Sequence, residues 1–140
     1  MSLPSFEILE HPADVGFRTA GETLPQLFAN AALALLSIAG DPDVASPKER
    51  YELSVTSGDR ISLLVDWLNE VLYWFDGKRI AFHNFEIVEF AETALKATAF
   101  GEPRDRERHR AKLIVKAVTY HQLKIEEHAG QWIAEVFLDV

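Results

Sequence analysis

Apolar and polar residues alternate with a period of two at the start of the chain. In SFEILEH, Phe6 and Ile8 flank Glu7, and in DVGFRTAG, Val15, Phe17 and Thr19 fall on one face. This alternation predicts two strands joined at the HPA turn as a hairpin. The period then lengthens. Leu24, Leu27, Phe28, Ala31, Leu35 and Ile38 recur at helical spacing behind Thr23 as N-cap and Pro25 in the first turn, which predicts a helix ending at GDPD near residue 40. RYELSVTS alternates again and reads as a third strand. Ser57 or Asp59 caps a second helix along DRISLLVDWLNEVLYWFDGK, where Ile61, Leu64, Val65, Leu68, Val71, Leu72 and Phe75 make an apolar stripe widened by Leu63, Trp67 and Trp74. A stripe this broad marks a largely buried helix, and packing against a sheet accounts for its tryptophans. From Arg79 onward the chain is strand-like: RIAFHNFEIVEF and TALKATAFGE form a hairpin across AE, while LIVKAVTYHQLKIEEH and WIAEVFLDV flank the turn AGQ. The order β-β-α-β-α followed by strands predicts an α+β fold. Residues 1–140 form one domain, with two helices packed on a mostly antiparallel sheet as two layers.

Composition narrows the chemistry. The 140 residues are 48% apolar, enough for a continuous core, and they include no cysteine. Disulfides, Cys-ligated zinc and thiol catalysis are excluded, and a reducing cytoplasm is the expected location. The longest apolar run, AALALLSIAG, is well short of a membrane span, and no positively charged region precedes an apolar stretch at the start, so a soluble protein without an export signal is expected. A net charge of -8 argues against strong direct binding of nucleic acid. PRDRERHRAK runs against that balance, with Arg104, Arg106, Arg108, Arg110 and Lys112; it reads either as a docking loop for an acidic partner or an RNA backbone, or as a solvated loop.

The signatures GxGxxG, P-loop, GxSxG and HExxH are absent, so the common nucleotide, hydrolase and zinc-enzyme motifs give no lead. Asp14 sits in the HPADVG turn and Asp139 is followed only by Val140. If the last strand lies beside the first hairpin, their carboxylates and that of Val140 converge. Carboxylates so gathered need protons, a Lys or Arg, or a cation. A hard divalent ion suits an all-oxygen set: calcium, magnesium or manganese. Lys116 is a candidate to balance such a site or to meet a partner. Asp66 and Glu70, one helical turn apart, are a weaker acid pair.

The segments HPADVGFRTAGETLPQLF, LLVDWLNEVLYWFD, GEPRDRERH, VKAVTYHQLKIE and the final EVFLDV, taken in order, resemble the archease family over nearly the whole chain. The resemblance implies a non-catalytic accessory protein of tRNA processing. Its partner would be the RtcB-type, GTP-dependent RNA ligase of tRNA splicing and RNA repair, whose guanylylation and multiple turnover it promotes. It also implies a divalent ion, calcium first, held by Asp14, Asp139 and Val140, the last through a main-chain or terminal carboxylate oxygen. His11, Arg104, His109, Lys116 and His121 lie in the resembling segments and are the candidates for supporting the site or contacting the partner. The family usually has Thr where this chain has Pro12, which stiffens the turn and removes a hydroxyl. Two other functions are compatible with the residues. One is a chaperone or modulator of a tRNA methyltransferase or another RNA-processing enzyme. The other is a small metal-dependent hydrolase built on His11, Asp14 and Asp139.

Overall fold

The computed structural model describes residues 6–11 and 14–140, with the backbone alone given for Glu10, His11 and Asp14. Strands β1 (Phe6–His11) and β2 (Asp14–Gly21) form the expected hairpin, closed by the pair His11 and Asp14. Pro12 and Ala13, and with them the reading of Pro12 as a stiffened turn, lie outside the described residues. Helix α1 (Leu24–Ala39) starts where Thr23 Oγ1 accepts from the Gln26 amide at 3.2 Å, while Gln26 Oε1 accepts from the Glu22 amide at 2.6 Å. This reciprocal capping satisfies donors that the first turn leaves free. Helix α2 (Arg60–Asp76) is capped by Asp59, which accepts from the Ser62 amide at 2.7 Å.

The remaining strands are β3 (Glu49–Thr56), β4 (Ile80–Ala91), β5 (Ala94–Pro103), β6 (Ala117–Val118), β7 (Lys124–His128) and β8 (Gln131–Asp139). The fold is α+β and antiparallel throughout, but the strands form two sheets where one was expected. One sheet runs β1-β2-β8-β6 with β7 also on β8, and the other runs β3-β5-β4. Alternation tells which side chains face the core and says nothing of which strands pair. α1 packs on β2 and β8 of the first sheet and on β4 of the second, so it is buried on nearly every face. α2 packs on β3, β4 and β6, and Trp67 Nε1 donates to the Phe28 carbonyl of α1 at 2.9 Å. One core cluster joins both helices and both sheets, with Phe17, Phe28, Leu64, Trp67 and Val136 fully buried.

Two local expectations change. LIVKAVTYHQLKIEEH is not one strand: after β6 the chain turns over residues 119–123, where the Leu123 amide bonds to the Tyr120 carbonyl at 3.2 Å and Gln122 takes a φ of 50°. Lys116, Val118, Tyr120 and Gln122 therefore do not share the face of one strand. The β4-β5 loop is Glu92-Thr93, one residue beyond the expected AE. Arg60 holds its tip through two bonds to Glu92, at 2.9 and 2.5 Å. At the β7-β8 turn, Ala129 and Gly130 both have positive φ, 52° and 80°. This is the pattern of a two-residue primed turn, matched to strand twist.

Candidate functional site

Register brings the beginning and end of the chain together. Val15 on β2 pairs with Leu138 on β8, and the next residue outward on each strand is Asp14 and Asp139. On the other side of β8, Ala117 pairs with Asp139, and the Lys116 amide donates to the Asp139 carbonyl at 2.7 Å. Asp14, Asp139, Val140 and Lys116 thus meet at one end of the first sheet. Asp139 and Val140 are exposed, and among the described residues no cation pairs with the Asp139 carboxylate. The donors that the backbone collects here are oxygens, which fit a hard divalent ion. Among the described residues no three His, Asp or Glu side chains converge on a metal point. The side chains of Asp14 and His11 lie outside the described ones.

Packing behind this end fixes β8. A Cβ on Gly16 would collide with the Val136 carbonyl and come within 2.8 Å of Phe137 Cδ1, so only glycine lets Phe137 lie across β2. Phe137 is buried, with the His121 ring 6.2 Å away, centroid to centroid. From α2, Asn69 donates to the Val118 carbonyl at 3.4 Å and accepts from its amide at 2.9 Å, clamping β6 on the helix side. Asn69 and Gly16 were readable as a polar break in an apolar stripe and a glycine inside a strand. Their partners were not.

Arg104 and His109 are turned inward. Arg104 Nη1 donates to the Phe75 carbonyl at 3.1 Å, its guanidinium lies 4.1 Å from the Phe75 ring centroid, and it reaches Asp76 at 3.5 Å, so it closes the C-terminus of α2. Burial, and secondarily the neighbouring Arg79, lowers its pKa. His109, 6% exposed, accepts from the Asp105 amide through Nδ1 at 2.7 Å, which leaves Nε2 to carry the proton it shares with Glu102 at 2.9 Å. Glu102, 5% exposed, also accepts from the Ser46 amide at 2.8 Å and from Arg108 at 3.2 Å. The Ser46 amide chiefly, then His109 and Arg108, outweigh burial and hold its pKa down at about 2. Sequence reading missed Glu102, since nothing in GEP marks a carboxylate as buried. Glu70, half of the weaker acid pair, accepts from the Trp74 indole at 3.1 Å.

The geometry defines a small α+β protein whose last strand lies against its first hairpin, so that the backbones of Asp14 and Asp139 reach the same end of a sheet. The chain belongs to the archease family: the model of the Archease protein family (MTH1598/TM1083) matches residues 6–140. The archease of Methanosarcina mazei is 42% identical, over 96% of this chain and 95% of its own. That of Methanopyrus kandleri is 37% identical, over 96% and 99%. The solution structure of Methanobacterium thermoautotrophicum protein 1598 superposes with a TM-score of 0.79 at 36% identity, covering 96% of this chain and 98% of that one. The crystal structure of the Thermotoga maritima archease, a possible chaperone, shares the fold with a TM-score of 0.66 at 21% identity, over 94% of each chain. No helix among the described residues is long and apolar enough to cross a membrane.

Proposed function

We propose that this archease is a protein activator of an RtcB-type, GTP-dependent RNA ligase and that it presents a divalent ion, calcium first, at the end of its larger sheet. The observation that supports this reading is the register that pairs Val15 with Leu138, the residues next to Asp14 and Asp139, in a chain of this family. Asp14, Asp139 and a main-chain or terminal carboxylate oxygen of Val140 would hold the ion. Bound there, the ion supplies positive charge that can orient phosphate oxygens. The protein's own part is positional: Gly16 and Phe137 fix β8, Asn69 and the Lys116 amide fix its outer neighbour, and Asp139 stays exposed where a partner can reach it. A net charge of -8 favours a protein partner over bare RNA. The covalent steps of end joining belong to the ligase.

The test is guanylylation of the ligase by GTP in the presence of Asp14→Ala or Asp139→Ala. Both variants are expected to keep the wild-type circular dichroism and to lose stimulation. Full stimulation by both would remove the metal end from the mechanism. Suppressed aggregation of a tRNA methyltransferase, with no effect on ligase guanylylation, would favour the chaperone function instead.

A further inference from the structure

Between the buried His109 and β6 the chain runs as an exposed strap, RAKLIVK, pinned at two places by its backbone. The Lys112 amide donates to the Ala39 carbonyl at the end of α1 at 2.9 Å, and the Lys116 amide to the Asp139 carbonyl at 2.7 Å. Val115 between these pins is buried in the core, which turns its neighbour Ile114 outward. Ile114 is 75% exposed, the highest value among the large exposed apolar side chains described, and Leu113 beside it is exposed too. Upstream, the buried Glu102 ties Arg108, His109 and the Ser46 amide together, so the strap leaves a fixed anchor.

The charge around Ile114 is equally uneven. Most described cations elsewhere are engaged: Arg18, Lys48, Arg50, Arg60, Lys96 and Lys124 are in ion pairs, as are Arg104 and Arg108. Arg110, Lys112 and Lys116 make none among the described residues, and Lys78, Arg79 and Arg106 make none either. The strap thus carries three of the six described Lys and Arg side chains that have no ion pair, with Lys112 and Lys116 two residues to either side of Ile114 and the Lys116 amide on Asp139. An apolar anchor ringed by charge is the anatomy of an interface hot spot, and holding it in place beforehand cuts the ordering cost of association.

We infer that this strap is the docking edge for the partner protein, with Ile114 entering an apolar pocket rimmed by Asp or Glu carboxylates that face Arg110, Lys112 and Lys116. This rests on the ligase as partner, and it assigns to the strap the task of setting the carboxylate end against that partner. A protein pocket fits better than RNA because sequence-tolerant binding of single strands relies on aromatic stacking, and RAKLIVK contains no aromatic residue.

The experiment measures binding of the full-length chain to the ligase of the same organism by titration calorimetry, at low salt and at about 0.15 M ionic strength. Its variants are Ile114→Asp, Ile114→Val and the double variant Lys112→Glu/Lys116→Glu. Ile114→Asp is expected to weaken binding by about 30-fold or more, the scale of a hot-spot loss. Ile114→Val should retain most of the affinity, and the double variant should weaken binding and flatten its salt dependence. All three should melt like wild type, since the altered side chains are exposed. Wild-type affinity in Ile114→Asp and in the double variant would overturn the inference and leave the ligase reading standing. No binding of wild type to the ligase would overturn both. Cation-dependent binding of a labelled single-stranded RNA, with ligase affinity unchanged across the variants, would assign the strap to RNA and overturn the inference as stated.

Discussion

Glu102 shows how one side chain's surroundings decide its role. Its carboxylate is nearly enclosed, yet it meets a backbone amide, the Nε2–H of a neutral imidazole and a guanidinium, so the charged form is better solvated inside the protein than burial alone would permit. Its pKa falls from the ordinary 4.5 to about 2 on folding. A carboxylate depressed in this way stabilises the fold fully above its unfolded pKa, and the contribution fades as pH drops from about 4.5 toward 2. Glu102→Gln should therefore be less stable than wild type at neutral pH, with the gap closing across that acidic window. Urea unfolding from pH 2 to 7 checks this; a gap that stays constant with pH would mean that the stabilisation is not that of the ionised carboxylate. The basic residues of PRDRERHRAK stand out in the sequence, but their division does not. Arg104 and His109 turn inward because a helix end and an enclosed carboxylate lie beneath them, Arg108 reaches that carboxylate from the surface, and Arg110 and Lys112 stay in solvent.

Among the elements, both helices were legible, with Thr23 as one cap and Asp59 as one of two candidates for the other, because apolar spacing and capping side chains act within a few residues of each other. The first hairpin was equally local. The division into two sheets was not, since β8 pairs with β2 from more than a hundred residues away and no local pattern records that choice. The break after β6 escaped for a related reason. Thr119 folds onto the Phe137 carbonyl through both its amide, at 3.2 Å, and its hydroxyl, at 3.1 Å, a partner supplied by tertiary structure. Gly16 joins these strands most tightly, since a methyl group there would meet both the Val136 carbonyl and the Phe137 ring. Gly16→Ala should destabilise the protein by about 2 kcal/mol, within the range for overpacking a well-filled site. Chemical denaturation measures the loss, and a variant as stable as wild type would show that β2 and β8 are not held in that register.

For the molecule as a whole, the oxygens proposed to hold the ion come from positions 14, 139 and 140, nearly the full chain apart. The candidate site was legible as a list of residues, because Asp14 and Asp139 stand in short, unusual contexts. It was not legible as a place, because convergence depends on β8 inserting between β2 and β6. An unfolded chain has no such place. Any ion bound there binds the native state alone, and mass action then makes the ion a stabiliser of the entire fold. Free calcium at about 100 times its dissociation constant should add about 2.7 kcal/mol to the unfolding free energy, which for a chain of this size is a rise in Tm of roughly 8–12 °C. Asp139→Ala should abolish the rise, whereas Ile114→Asp, which alters only the exposed strap, should keep it. A thermal melt that ignores calcium, magnesium and manganese alike would show that the sheet end holds no ion. Stimulation of the ligase, if it persisted, would then have to come from contact alone.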